Sequence, residues 1–162
     1  MALILPRFVV LPLAVRFAML YKLKREDRMP KATKTGETTV AEYMAPDVRS
    51  IHVDKSLKDA CRMFRKWNVG SLLVDDGRRY IGIITERDLC RKAVAQEMDP
   101  AVTPVKACMT KSVISIEDDE PIVEAVKLMR EKGVRHLAVT EDNTIIGMLS
   151  ISDLLRYYSG VR

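Results

Sequence analysis

An internal repeat limits the possible folds of this 162-residue chain more than any other feature of its sequence. When the sequence is shifted by 65 positions, Val40–Arg91 aligns with Val105–Arg156 without a gap, and 16 of the 52 aligned positions are identical. Most of the remaining pairs keep their hydrophobic class. Self-similarity at a fixed spacing is typical of a duplicated structural unit. We therefore predict two copies of one unit, each too small for an adequate core of its own, packed sheet to sheet.

Each copy predicts the element order β-α-β-β-α, which places the chain in the α/β class. Short strands are predicted at 48–53 and 113–118. Helices follow at 56–67, with Ser56 as the N-cap, and at 120–132, where Gly133 ends the helix. The residues predicted to form the apolar faces of these two helices are Leu57, Ala60, Cys61 and Phe64, and Ile122, Ala125, Val126 and Met129. Hairpins are predicted to turn at Asp76-Gly77 and at Asp142-Asn143. Helices at 86–97 and 151–160 close the two copies.

The first 39 residues differ from the rest of the chain and are predicted to be an N-terminal arm and linker, followed by units at 40–98 and 99–162. The arm carries eight Lys/Arg against three Asp/Glu, whereas residues 40–162 carry 19 of each. The net charge of +5 therefore belongs to the arm. Because the body is neutral, nucleic-acid binding is an unfavoured function.

The apolar stretch at the start of the arm is interrupted by Arg7 and Arg16 and by two prolines. An Arg near the centre of a bilayer costs about 2.5–3.5 kcal/mol on insertion scales, which argues against a membrane-spanning helix. Three interpretations of residues 1–28 stay open: a weak membrane anchor, a docking arm, or a start assigned too far upstream, with Met29 as the true start. We favour the last of these, or plain disorder.

The three cysteines, Cys61, Cys90 and Cys108, have neither CxxC nor Cys/His spacing. This pattern predicts neither a disulfide framework nor a zinc site. We expect reduced cysteines that act as small core residues, in a reducing, cytoplasmic setting. No metal and no bound cofactor are predicted.

One motif occurs once in each copy, as Gly82-Ile-Ile-Thr-Glu-Arg-Asp88 and as Gly147-Met-Leu-Ser-Ile-Ser-Asp153. Each copy joins a predicted strand to a predicted helix. A hydroxyl followed three residues later by an Asp can cap a helix, and this structural interpretation stays open for both copies. The duplication favours a ligand site as the alternative, above all at Asp153.

The repeat resembles the CBS domain, a fold that usually occurs as a tandem pair. The resemblance covers residues 40–157 and rests on the two motifs and on the stretches VAEYMAPDV, GVRHLAV and VKACMTKSV. It implies two CBS units related by pseudo-two-fold symmetry, with two clefts between them. Such clefts bind adenosine-containing ligands, namely AMP, ADP, ATP or S-adenosylmethionine. It also implies homodimers formed through helices such as 56–67 and 120–132, whose apolar faces exceed what one unit needs.

The resemblance assigns ribose hydroxyls to the carboxylates of Asp88 and Asp153, which accept hydrogen bonds. Phosphate would lie near the helix starts at Thr85 and Ser150. The clefts are built crosswise in the family, so the Asp153 cleft takes backbone near Asp47–Ser50 and Val69–Ser71, and the Asp88 cleft takes Ser112–Ser115 and Val134–His136. The candidate ligand-binding residues are Ser150, Ser152, Asp153, Arg135, His136, Val48, Gly70 and Ser71, with Thr85, Arg87, Asp88, Lys111, Ser112 and Val113 at the Asp88 cleft.

The two clefts are not expected to be equivalent. Gly70 and Ser71 stand where Arg135 and His136 stand in the second unit, so the first unit lacks this basic pair. We expect a competent Asp153 cleft and a weaker or empty Asp88 cleft. His136 has an open alternative, as a hydrogen-bonded strand residue without a functional role.

The predicted function is regulatory rather than enzymatic: a bound ligand favours the arrangement of the two units that closes the cleft, and an unidentified effector protein reads the change. Only two histidines, His52 and His136, are present, and there is no P-loop or Gly-rich dinucleotide fingerprint. The acidic run Glu117–Glu120 is interpreted as a helix start. The alternatives are a ligand-free structural or dimerisation module, and a membrane-tethered regulator of a transporter that uses residues 1–28.

Overall fold

A computed structural model describes residues 38–159 of the chain. Residues 1–37, and with them the interpretations of the arm, lie outside the described residues, as do residues 160–162. The predicted α/β class and the order β-α-β-β-α in each unit are confirmed. The first unit contains β1 (Ser50–His52), α1 (Leu57–Trp67), β2 (Ser71–Asp75), β3 (Tyr80–Thr85) and α2 (Glu86–Asp88). The second unit contains β4 (Ser115–Glu117), α3 (Ile122–Lys132), β5 (His136–Glu141), β6 (Thr144–Ser150) and α4 (Ile151–Ser159).

The two units have the same sheet topology. Each has a three-stranded sheet, in the order β1-β2-β3 or β4-β5-β6. The first strand runs parallel to the central strand, and the third runs antiparallel to it. The second hairpin turns at Asp142 and Asn143, which have φ values of 49° and 62°, as expected of a tight two-residue turn.

The helix following the first sheet departs from the predicted continuous helix at 86–97. After α2, the chain continues through a π turn at Leu89–Ala93 and a 3-10 turn at Val94–Gln96. π turns are rare and occur frequently at functional sites. The equivalent α4 of the second unit is regular over Ile151–Ser159.

Local signals place α1 and α3 as predicted. Ser56 Oγ accepts a hydrogen bond from the Asp59 amide at 3.1 Å, so Ser56 is the N-cap of α1. Gly133 ends α3 in the left-handed conformation, with a φ of 65°. None of the helices in the described part of the chain is long and apolar enough to span a membrane.

Most of the predicted apolar surface of α1 and α3 is used within their own units. Their apolar faces, formed mainly by Leu57, Ala60 and Phe64 and by Ile122, Ala125 and Met129, are buried in the cores of their own units. Of the large apolar side chains in these two helices, only Val123 is exposed.

The expectation that all three cysteines are core residues is wrong. Only Cys108 is buried, and both Cys61 and Cys90 are exposed. Cys61 follows the buried Ala60 by one position, which turns it about 100° away from the buried face of α1.

The segment that precedes the first strand of each unit packs on the other unit. Val40 N donates to Glu120 O at 3.0 Å, and Ala45 N donates to Met148 O at 2.8 Å. In the other direction, Val105 N donates to Lys55 O and Thr110 N donates to Ile83 O, both at 2.8 Å. We call residues 38–45 and 105–110 the exchanged segments.

The exchanged segments complete the two cores. Val40 and Met44 belong to the core of the second unit, whereas Val105 and Cys108 belong to the core of the first. The glycine of each motif makes room for them, because a Cβ on Gly147 would lie 2.7 Å from Met44 Sδ. Each repeat therefore depends on the other for its core.

Candidate functional site

Asp88 is the third residue of α2 and forms a capping box with Thr85, the N-cap of this helix. The Thr85 amide and the Thr85 hydroxyl both donate to Asp88 Oδ2, at 3.0 and 2.6 Å. In return, the Asp88 amide donates to Thr85 Oγ1 at 3.2 Å. The structural interpretation of the motif is therefore correct for one oxygen of the carboxylate, and the other oxygen, Oδ1, is left for a different partner.

Asp153 has the same relationship to Ser150 at the start of α4. The Ser150 amide donates to Asp153 Oδ2 at 2.8 Å, and the Ser150 hydroxyl donates to the same oxygen at 2.6 Å. The two motifs are thus built alike, and the chemistry that distinguishes them depends on what binds Oδ1.

A cation from the same helical segment binds Oδ1 in each unit. Lys92 Nζ lies 2.7 Å from Asp88 Oδ1, and Arg156 Nη2 binds Asp153 Oδ1. Each cation also donates to a backbone carbonyl of an exchanged segment: Lys92 to Cys108 O at 2.7 Å, and Arg156 to Tyr43 O at 3.3 Å. Each aspartate is therefore linked, through a cation, to the segment that crosses over from the other repeat.

The exchanged segments lead into the connections that contain several of the predicted cleft residues. After pairing with Met148, the first segment continues through 46–49 into β1, and this connection contains the buried Val48. After pairing with Ile83, the second continues through 111–114 into β4, and this connection contains Lys111, Ser112 and Val113. This chain path is compatible with the predicted crosswise origin of the two candidate sites, which stays a prediction.

Of the remaining predicted residues, Arg87 and Ser152 lie in α2 and α4, and the others lie at the starts of β2 and β5. Gly70 O accepts a hydrogen bond from Glu86 N at 3.2 Å, and Arg135 O accepts one from Ile151 N at 3.1 Å. Ser71 is buried and pairs with Thr85, whereas Arg135 and Ser152 are exposed. The starts of the central strands therefore lie directly beside the starts of α2 and α4.

His136 of the second unit lies against Gly70 of the first. A Cβ on Gly70 would lie 3.2 Å from His136 Nε2 and 3.7 Å from Glu86 Oε2. Burial is the main reason that the pKa of His136 lies below 6.5, and the positive charges of Arg135 and Arg87 lower this pKa further. The carboxylate of Asp153 acts in the opposite direction. Residues of both units therefore meet around one half-buried imidazole, whose neutral form is favoured by burial.

Arg87 was predicted only for the Asp88 cleft, yet its charge acts on His136. Sequence reasoning missed four features of the site: Lys92, Arg156, and the carbonyls of Tyr43 and Cys108. The two cations follow the aspartates at helical ion-pair spacing, i+4 and i+3, and this spacing could have identified them.

Comparison with known proteins gives the same picture for both halves of the chain. The CBS domain family matches residues 40–95 and 105–160. The protein MK0525 of Methanopyrus kandleri is 35% identical over 120 residues, which cover 73% of this chain and 61% of that protein. The chain therefore spans less than two thirds of the length of this relative.

Two solved structures are similar in fold and sequence. A CBS-domain protein of Burkholderia ambifaria MC40-6 is 33% identical, with a TM-score of 0.73, covering 76% of this chain and 95% of that one. The CBS domain pair of protein MJ0100, solved in complex with 5′-methylthioadenosine and S-adenosyl-L-methionine, is 25% identical with a TM-score of 0.69. The similarity covers 78% of this chain and 99% of that structure.

Proposed function

Because this chain belongs to the CBS domain family and carries two such domains in tandem, we propose that its function is to bind an adenosine-containing ligand at Asp153 and to signal occupancy to a partner protein. One observation carries the proposal. The Oδ1 atom of Asp153 is held only by Arg156 among the contacts described, and the side chain of Arg156 is 55% exposed. A ribose can replace this partner without disturbing the cap formed by Ser150.

The chemistry of Asp153 suits a ribose. A carboxylate oxygen has two lone-pair sites, so two adjacent hydroxyls can donate together to Oδ1 while Oδ2 keeps its hydrogen bonds from Ser150. Arg156, once released, remains close enough to bind a phosphate, for which a guanidinium is well suited. Arg135 is exposed at the neighbouring strand start and adds a second positive charge. The MJ0100 pair, whose two bound ligands both contain an adenosine moiety, supports this class of ligand.

The position of the site explains how binding can produce a signal. Asp153 belongs to the second unit. Gly70 and the connection 46–49 belong to the first unit, where they directly precede β2 and β1. A ligand that contacts all three favours one relative placement of the two units. The ligand shifts the population towards the conformer that it binds more tightly, by an amount set by the difference in its affinity for the two conformers.

The Asp88 cleft is proposed to be the weaker of the two. Gly70 and Ser71 occupy the positions that Arg135 and His136 occupy in the other unit, so the first unit lacks the positive charge of Arg135. In the proposed function the protein is not an enzyme, uses no metal or organic cofactor, and acts on a separate effector protein. Its exposed free thiols, Cys61 and Cys90, suit a reducing compartment such as the cytoplasm.

The test is calorimetric titration of the full chain with AMP, ADP, ATP and S-adenosylmethionine. At least one of these should bind, and Asp153→Asn should weaken its binding by about 10–150-fold, the equivalent of 1.5–3 kcal/mol for a hydrogen bond to a charged group. Asp88→Asn is the matched control, because it alters the same helix cap in the other unit, and it should change the affinity by less than about threefold. If none of the four ligands binds, the proposal is wrong.

A ligand-free dimerisation module is the second candidate, and the exposed surface of α4 favours it. Ile151, Leu155 and Tyr158 follow one another at helical spacing, and their exposed fractions are 40%, 64% and 62%. An apolar stripe of this kind can pair with the same stripe on a second copy of the chain. Homodimer formation is also compatible with ligand binding.

A further inference from the structure

We infer that Lys92 is an internal occupant of the Asp88 cleft, and that it decides which of the two clefts admits a ligand. The inference rests on the proposed function and adds to it the residue that makes the two clefts unequal. It depends on the contacts of Lys92, on the contrasting contacts of Arg156, and on the positions of both residues in the repeat.

Lys92 binds Asp88 with all three of its ammonium donors in use. Its Nζ atom lies 2.7 Å from Asp88 Oδ1, 2.7 Å from Cys108 O and 3.3 Å from Thr110 Oγ1. An ammonium group has three donors, and each of them has an acceptor here. The side chains of Lys92 and Asp88 are 37% and 14% exposed. A ribose that approaches Oδ1 must therefore break a set of contacts that is already complete.

Arg156 holds Asp153 in a looser way. Apart from its bond to Asp153, its only described partner is Tyr43 O, at 3.3 Å. Its side chain is more exposed than that of Lys92, so it can turn into water and keep its charge hydrated. Release of Asp153 therefore costs fewer contacts than release of Asp88.

The repeat shows that Lys92 is specific to the first unit. The position equivalent to Lys92 is Tyr157, and the position equivalent to Cys108 is Tyr43. In the second unit these two tyrosines pack ring against ring, with centroids 5.3 Å apart. A hydrogen bond from a lysine to a carbonyl in one unit thus replaces an aromatic contact in the other. The π turn at Leu89–Ala93 contains Lys92, whereas α4 is regular around Tyr157.

The test counts the sites that AMP occupies. Full chains of the wild type, Lys92→Met and Arg91→Met are titrated with AMP in a calorimeter. We expect one AMP per chain in the wild type and two in Lys92→Met, because Asp88 Oδ1 is then free. Arg91→Met is the matched control, since it removes the same charge from an exposed neighbouring position, and it should bind one AMP. The double variant Lys92→Met/Asp88→Asn should return to one.

If the wild type and Lys92→Met both bind one AMP, the inference is wrong and the proposed function stands. Loss of all AMP binding in Lys92→Met would also overturn it, because Lys92 would then be a ligand contact. If AMP binds to Lys92→Met alone, the inference holds and the assignment of Asp153 fails. If neither chain binds AMP, the sites are counted with whichever of ADP, ATP and S-adenosylmethionine binds the wild type, and if none of the four ligands binds, both are wrong. Should Lys92→Met fail to fold, Lys92→Gln, which keeps a donor for Cys108 O but no charge, replaces it with the same expected counts.

Discussion

Gly70 and His136 meet across the boundary between the two units, so closely that a Cβ on Gly70 would lie 3.2 Å from His136 Nε2. These residues come from the starts of the two central strands, next to the helix starts that contain Asp88 and Asp153. A side chain at position 70 would press on the His136 ring, and burial of this ring favours its neutral form. The protonation of His136 should therefore affect how the units fit together.

The stability of the protein should depend on His136 as the pH falls. Because the pKa of His136 is below 6.5 in the folded chain, the unfolded chain takes up this proton first. The free energy of unfolding should therefore decrease as the pH falls from about 6.5 to the folded pKa, and this contribution should not change further below it. Glu86, Arg87, Arg135 and Asp153 are the charged groups around the ring.

Urea unfolding between about pH 5 and pH 7.5 measures this dependence. His136→Gln should remove the decrease in the free energy of unfolding that occurs just below about pH 6.5. His52→Gln is the control, because it removes the other histidine, whose side chain is 43% exposed. An identical pH dependence in the wild type and in His136→Gln would contradict this account.

Gly147→Ala should destabilise the protein by displacing an exchanged segment from β6. The new Cβ would lie 2.7 Å from Met44 Sδ and 2.8 Å from Ala45 O, and a backbone atom cannot move aside as a flexible side chain can. The expected loss is about 1–3 kcal/mol, as for other overpacked cores. Urea unfolding measures it, with Thr144→Ala at an exposed position of the same strand as the control. Equal losses in both variants would show that the close contact does not matter.

The effect of N-terminal deletions should change abruptly at the exchanged segment. A chain that begins at Met29 should melt within about 2–4 °C of the full chain, because all described core residues lie beyond that position. Deletion through Ala45 removes Val40 and Met44 from the core of the second unit, so we expect the cooperative transition to be lost. Thermal unfolding followed by circular dichroism tests both. A large loss in the chain from Met29 would show that the arm contributes to the core.

Local signals allowed the elements of this fold to be predicted from the sequence. The cap at Ser56, the helix end at Gly133 and the turn at Asp142-Asn143 each depend on residues a few positions apart, and the structure confirms all three. The repeat then indicated that both halves share one topology. It also identified Asp88 and Asp153 as equivalent.

Partners that are distant in the sequence could not be predicted in this way. An apolar pattern shows that Val40 and Val105 are buried, but not that each lies in the core of the other unit. Cys108 O lies 16 positions from Lys92, and Tyr43 O lies 113 positions from Arg156. Since backbone carbonyls occur at every residue, no sequence feature marks these two as acceptors.

The solution species should be a dimer that depends on α4. We expect light scattering to give about twice the 18.4 kDa of one chain. Leu155→Glu should give the monomer, because it places a charge in the middle of the apolar stripe. Val102→Glu is the control, since Val102 is 77% exposed in the connection between the units. A monomeric wild type at micromolar concentration would contradict the prediction.

A crystal structure of the full chain grown with AMP tests the central claim most directly. The account predicts the ribose hydroxyls within about 2.5–3.0 Å of the Asp153 carboxylate, with Arg156 turned away from Oδ1 and Lys92 still bound to Asp88. AMP bound at Asp88 in place of Lys92, with Asp153 still held by Arg156, would contradict the account, as would crystals in which neither carboxylate contacts AMP.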